Sequence, residues 1–343
     1  MEGITGHIVR NAFFHNFGCI DKYFTPFVPA AKNLSKKLRR DLDPENNRGL
    51  FLVPQLLSNS SREVLDMIEQ LKDLGYREFN LNLGCPSGTV AGKGRGSGFL
   101  RYPQEVDRFL DEIYSAADLP VSVKTRIGFS DTEEWPGLLD IYCRYPISEL
   151  IIHPRLRNEF YKGSPHVDAF DHAMQVYEHR RKTEAASSDT ALCYNGDIWD
   201  MKCYRDILDH ICSEDCPKTA CSKDDVIISA NVGEVIDRVM IGRGLLVRPD
   251  LLWEISADGS KDQIADEAFI RSHIRNWHDE IYEGYKEIFG EDKHAMQHMK
   301  EIWGFLGRRF KDSDRLMKQL LKSQSPMEYR ITVNLIFREL QLV

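Results

Sequence analysis

Seven short segments rich in apolar and β-branched residues recur along the chain. They are Lys22–Val28, Phe51–Leu57, Glu78–Cys85, Pro120–Ile127, Glu149–Arg155, Ala191–Ile198 and Arg238–Gly244. Most end in polar or glycine-containing residues, the pattern of buried parallel strands. Between them the spacing turns helical. Arg62–Leu74 places Val64, Leu65, Ile68, Leu71 and Leu74 on one face, and Pro103–Ala117 does the same with Val106, Phe109, Leu110 and Ile113. Strands alternating with helices predict a parallel α/β fold. Seven strands are one short of a (β/α)8 TIM barrel. The opening MEGITG (Met1–Gly6) reads as a loop with no strand before it. The expectation is therefore an open sheet, or a barrel whose first strand is missing from this chain.

Beyond about Ser260 the pattern becomes purely helical, with candidate helices Ile264–Phe289, His294–Phe310, Asp314–Leu321 and Pro326–Leu340. This predicts two domains, a barrel over 1–255 and an all-helical domain over 260–343. Two polar stretches, His179–Thr190 and Cys212–Asp225, read as surface insertions in the barrel. No repeat of 20–50 residues is present.

Composition narrows the classes. With 343 residues, 42% of them hydrophobic, the chain can bury a real core, which excludes wholesale disorder. No apolar run approaches the ~20 residues that cross a bilayer. Met1–Arg10 lacks the apolar stretch of a secretory signal. Eight cysteines without such a signal read as thiols of a cytoplasmic protein. The net charge of −8 excludes a uniformly basic nucleic-acid binder but not a local basic patch. His294–Arg330 holds eight lysines and arginines against four acidic residues, reversing the sign of the whole chain.

Candidate chemistry sits at the strand ends, where α/β barrels carry their active sites. Gln55, Asn80 and Asn82, Lys124 and Arg126, His153 and Arg155, Asn195 and Asp197, and Gly242 with Arg243 fall at six successive ends. Charged groups on buried strands need partners, so this pattern predicts a polar ligand in a shared mouth. Asn82–Gly98 adds six glycines and Cys85 directly after a strand. It matches neither the P-loop nor the dinucleotide fingerprint. A thiol there is mostly protonated at neutral pH and can act as an acid; the plainer alternative is a small buried hydrophobe. The turn Val239–Gly244 (VMIGRG) offers backbone amides and an arginine to a phosphate. Cys203, Cys212, Cys216 and Cys221 have a spacing that matches no usual zinc pattern and read as free thiols.

The motifs NLGCP (82–86), VKTRIG (123–128), HPR (153–155) with YKG (161–163), YNGDI (194–198) and MIGRG (240–244) occur in the order found in the tRNA-dihydrouridine synthases, which the chain resembles over nearly its whole length. The resemblance implies an FMN-binding barrel followed by a helical tRNA-binding domain, with NADPH or NADH as electron donor. It implies Cys85 as general acid and Gln55, Lys124 and His153 as flavin contacts. Asn195, Gly196 and Asp197 would line the phosphate and ribityl site, with Gly242 and Arg243 at the phosphate. Asn82 would face the uracil, and Arg126 and Arg155 match motif positions on the substrate side. Arg308, Arg309 and Lys311, in the basic helices, would contact tRNA. No membrane and no obligate protein partner is expected. In that family an apolar strand ending in Ala-Pro precedes the residue aligned with Met1. This gives the expectation of an upstream start, with weaker stability and weaker FMN binding in the chain as written. Two other readings stay open: an FMN barrel oxidoreductase acting on a free pyrimidine, and an RNA-binding relative without flavin.

Overall fold

The computed structural model describes residues 1–18, 20–29, 34–183, 189–212, 236–256 and 266–343. Its strands are β1 (Tyr23–Phe24), β2 (Val28–Pro29), β3 (Leu52–Val53), β4 (Gln55–Leu57), β5 (Phe79–Leu83), β6 (Val121–Gly128), β7 (Glu149–Leu156), β8 (Ala191–Tyr194) and β9 (Arg238–Val239). All pairings are parallel. One sheet runs β2-β4-β5-β6-β7-β8-β9, and β1 pairs with β3 beside it. Helices fill most of the intervals, so the fold is of the parallel (β/α) barrel type.

Two expected strands are split. Lys22–Val28 becomes β1 and β2, and Phe51–Leu57 becomes β3 and β4, with breaks at Pro26 and Pro54. Proline has no N–H to give a ladder. Among the described residues the two end strands, β2 and β9, do not pair with each other. The sheet is nevertheless curled. Lys22 Nζ donates to Glu78 at 2.7 Å and to Glu149 at 3.0 Å, and Glu149 also meets Arg238 at 3.3 Å. Groups beside the N-terminal ends of β1, β5, β7 and β9 therefore converge on one cluster.

The helical region consists of Glu267–Phe289, Asp292–Leu306, Asp314–Lys322 and Pro326–Glu339. Asp266 caps the first, and Ser325 with Glu328 forms a capping box on the last. The first begins at Glu267, just after its cap; Ile264, the expected start, lies outside the described residues. The helix His7–Phe17, within the expected barrel span, packs into the helical core instead. Its Val9, Phe13 and Phe17 join Ile274, Trp277, Ile281 and Trp303. His179–Thr183, read as the start of a loop, is the last turn of Val167–Thr183. Residues 184–188 and 213–235 lie outside the described residues, and with them the middle of the first expected insertion and nearly all of the second, including Cys216 and Cys221. Among the described residues no helix is long and apolar enough to cross a membrane.

Candidate active site at the C-terminal ends of the strands

A chain of amides runs across the barrel interior. Gln55 donates to Asn80 Oδ1 at 2.8 Å, Asn80 donates to Ser122 Oγ at 2.9 Å, and Asn82 donates to Gln55 Oε1 at 2.6 Å. These side chains satisfy one another, as buried polar groups must. Asn82 Oδ1 also accepts from the backbone N–H of Gly84 at 3.1 Å and of Cys85 at 2.9 Å. Asn82, expected to face a base, is thus occupied in shaping the turn that presents Cys85. Gln55, expected at the cofactor, is likewise held within this chain and only 8% exposed.

The glycine-rich loop then folds back over Cys85. Ser97 donates to the Cys85 carbonyl through its N–H (3.1 Å) and its Oγ (2.8 Å). Gly96 makes this possible: its φ is +56°, and a Cβ there would lie 2.8 Å from that carbonyl oxygen. Burial pushes the Cys85 thiol up, and the opposing pull of Lys124 and Arg126 does not cancel it. The sulfur therefore keeps its proton at neutral pH.

Four cations surround the mouth, and their tertiary contacts sort them. Arg126 is 1% exposed and fully engaged: it donates to the carbonyls of Gly84 (3.1 Å), Leu156 (2.7 Å) and Phe160 (2.5 Å). Arg155, fully buried, donates to both oxygens of Asp197 and to Gly163 O at 2.6 Å. Arg243 bonds Asp197 from the other side at 2.9 Å. Arg126 and Arg155, expected on the substrate side, thus brace the 156–163 loop. Asp197, expected at a phosphate, is held between two arginines.

Lys124 differs. It points from β6 into the interior and has no hydrogen-bond or ion-pair partner among the described residues. Burial and the nearby Arg126 charge push it down to about 8. His153, 7% exposed, is held well below its usual range by burial and by Lys124, Arg126 and Arg155, so its imidazole is neutral. A desolvated ammonium without a counter-charge is costly. The mouth thus has a surplus of positive charge and suits an electron-rich or anionic ligand.

Asn195 donates to Met240 O at 2.7 Å, tying the end of β8 to β9. Gly196 passes so close to Tyr194 that a Cβ would meet its Oη at 2.5 Å. Gly242 precedes the short helix Arg243–Val247 at the end of β9. Of the helical-domain cations, Arg308 and Lys311 are exposed. Arg309 is not: it is 4% exposed and paired with the equally buried Asp250 at 2.7 and 3.1 Å. Expected at tRNA, its guanidinium instead joins the helical region to the end of the barrel.

Sequence reasoning passed over Tyr161 as a functional residue. The braced loop leaves it 52% exposed at the mouth, with Arg243 4.2 Å and Arg126 5.2 Å from its ring centre. The only signal was the YKG motif. Phe129, with the Arg101 guanidinium 3.8 Å and that of Arg157 5.3 Å from its ring centre, was likewise unmarked.

A curled parallel sheet that gathers a protonated cysteine and a lysine without a partner among the described residues defines an α/β barrel. The chain belongs to the dihydrouridine synthase (Dus) family, whose model matches residues 1–216. It is similar to the "Probable tRNA-dihydrouridine synthase 2" of Bacillus subtilis, 28% identical over 260 residues, covering 76% of this chain and 68% of that protein. A "Probable tRNA-dihydrouridine synthase" of Staphylococcus epidermidis is 28% identical over 282 residues, covering 81% and 73%. Among solved structures, an N-acetylneuraminate lyase from Mycoplasma synoviae is similar at TM-score 0.44 and 12% identity over 88% of this chain and 90% of that one. That likeness is too distant to bear on the site.

Proposed function

We propose that this protein is a flavin-dependent tRNA-dihydrouridine synthase, reducing a uridine of tRNA with NADPH or NADH as electron donor. The observation that carries the reading is Lys124, an unpartnered interior cation beside Cys85 in a chain of the Dus family. The residues present fit FMN. Lys124 would face the electron-rich edge of the ring system, and neutral His153 can accept or donate one hydrogen bond there. Arg243 and the backbone around Gly242 would hold the phosphate end, with Asn195 and Gly196 beside them. FMN, once bound there and reduced, would supply the hydride for C6 of the uracil. Cys85 holds the proton at Sγ and delivers it to C5. Asn82 and Ser97 fix the direction of that thiol through its own backbone. The mouth admits a base only when the base has left its stack.

The test is direct. Purified holoprotein, NADPH and an unmodified tRNA transcript should yield dihydrouridine, read by mass spectrometry of the nucleosides. A flavin-loaded protein that leaves every transcript unchanged would refute the reading.

Lys124 also sets an expected pH dependence. Its folded-state value is pushed down to about 8, so below that pH the ammonium is present and above it the charge is lost. FMN affinity of the apoprotein should therefore fall as pH rises through about 8. The limit is roughly tenfold per pH unit if binding requires the proton. Lys124→Met should bind FMN weakly and show no such fall. Flavin fluorescence titration from pH 6 upward measures both, and an equal slope in the two proteins would remove Lys124 from the cofactor site.

A further inference from the structure

The helix Lys36–Leu42 (KKLRRDL) carries Lys36, Lys37, Arg39 and Arg40, all exposed. Among the described residues none of the four makes an ion pair. Exposed cations elsewhere commonly do: Lys182 meets Glu178, Lys202 meets Asp206, and Arg144 meets Asp107. The difference lies in the acids nearest in sequence, each of which is already engaged. Asp41 turns inward, accepting from the His7 N–H at 2.5 Å and pairing with Arg10 at 3.3 Å. Asp43 caps the following turn through Glu45 N–H, and Glu45 itself pairs with Arg48. Four positive charges within five residues are thus left to solvent in a chain of net charge −8.

The location gives this patch a role. The helix follows β2, so it begins at the C-terminal ends of the strands, the end that bears Cys85. It also abuts the helical region: Lys37 lies close enough to His298 to add to the burial that lowers that imidazole. The helix Glu267–Phe289 runs antiparallel to His7–Phe17, with Gly284 against Ile8 and Glu280 bonded to His15 and Asn16. The chain just before His7 lies by the mouth, where the Met1 amino group feels Lys124 and Glu2 acts on Cys85, so the C-terminal end of the long helix and the turn to Asp292 lie on that side. The next helix, Asp292–Leu306, carries the chain about 22 Å away at 1.5 Å per residue. Arg308 and Lys311 thus sit at the remote end of that helix, whereas Lys36 and Lys37 sit where barrel rim and helical hairpin meet. The hairpin's own charges near this junction are mostly compensated: Lys286 faces Glu283 and Asp292, and His294 faces Glu291.

We infer that Lys36, Lys37, Arg39 and Arg40 form a phosphate-contact site for the RNA substrate, holding backbone phosphates that flank the base presented to Cys85. This rests on the proposed function. Unpaired lysines and arginines along a rim are what neutralises successive phosphates and releases their counterions.

The experiment uses flavin-loaded full-length protein and an unmodified tRNA transcript, titrated by fluorescence anisotropy over a series of KCl concentrations. The variants are Lys36→Gln/Lys37→Gln and Arg39→Gln/Arg40→Gln. Lys182→Gln/Lys202→Gln makes the same charge change on outer barrel helices. Each lost contact should flatten the slope of log affinity against log salt by roughly 0.7–0.9, and each site pair should weaken binding about tenfold or more at low salt. Bound flavin, read by visible absorbance, should not change, and the control should behave as wild type. If wild type binds and reduces the transcript while both site variants keep its slope and affinity, the inference falls and the proposed function stands. If wild type neither binds nor reduces any transcript, both fall. Loss of binding to anionic vesicles, with RNA binding intact, would assign the helix to a lipid surface and overturn the RNA assignment.

Discussion

Cys85→Ala should lower the rate of uridine reduction about 10²- to 10⁴-fold, the usual cost of removing a general acid. Flavin content and the rate at which NADPH reduces the bound flavin should stay at wild-type values, because neither needs the proton on Sγ. The ground for separating the two half-reactions is the geometry of the loop. Asn82 Oδ1 holds the Gly84 and Cys85 amides, and Ser97 holds the Cys85 carbonyl. Removing the sulfur leaves this scaffold in place. The pH profile gives a second readout. Burial raises the thiol pKa, and the Lys124 and Arg126 charges recover only part of the shift. The acid form therefore dominates through neutral pH and is lost as pH rises through the raised value, giving an alkaline limb in the wild-type rate. In Cys85→Ala that limb should vanish. Rapid mixing of pre-reduced enzyme with tRNA measures the step; a wild-type rate in the variant would rule out Cys85 as the acid.

Arg309→Ala should destabilise the fold by about 3–5 kcal/mol, the cost of leaving one member of a buried ion pair alone. Asp250, 1% exposed, would be left with Arg248, at 4.0 Å, as its one other ion-pair partner among the described residues. Arg308→Ala, one residue away and exposed, should change stability by less than about 0.5 kcal/mol. Urea unfolding of the two variants, each followed by fluorescence, reads the contrast. Equal midpoints would show that the Asp250 contact carries no stability. The tRNA salt slope of Arg309→Ala, measured below its unfolding transition, should match wild type, since a guanidinium bound to a carboxylate releases no phosphate counterions.

These two residues show where pattern reading succeeds and where it stops. Cys85 was legible because a segment of alternating apolar and polar residues, Phe79–Leu83, leads into it and a run of glycines follows; both signals lie within about twenty residues of sequence. Arg309 was read as a phosphate contact because it stands in a basic run. Its partner lies 59 positions earlier, and no local period reveals that. The same holds in the mouth. Lys124, Arg126 and Arg155 look alike at strand ends, yet Arg126 spans 42 positions to Gly84 O and 34 to Phe160 O, and Arg155 spans 42 to Asp197. Only Lys124 is left without a partner among the described residues.

The strand count followed the same division. Hydrophobic periodicity located seven segments, and the proline breaks within two of them were visible in principle at Pro26 and Pro54. That His7–Phe17 packs on Trp277 rather than on the barrel was not visible, because an amphipathic face does not name its partner.

The amino-acid sequence by itself determined the strand–helix alternation, the helical C-terminal region and the motif set that marks the Dus family. Each depends on residue spacing along the chain or on which residues occur in order. The tertiary structure alone decided which cations are spent on carbonyls and carboxylates and which stay available. It buried Arg309 against Asp250 and left Lys36, Lys37, Arg39 and Arg40 exposed with no ion pair among the described residues. Charge becomes function only after pairing, and pairing is settled by contacts between residues tens of positions apart.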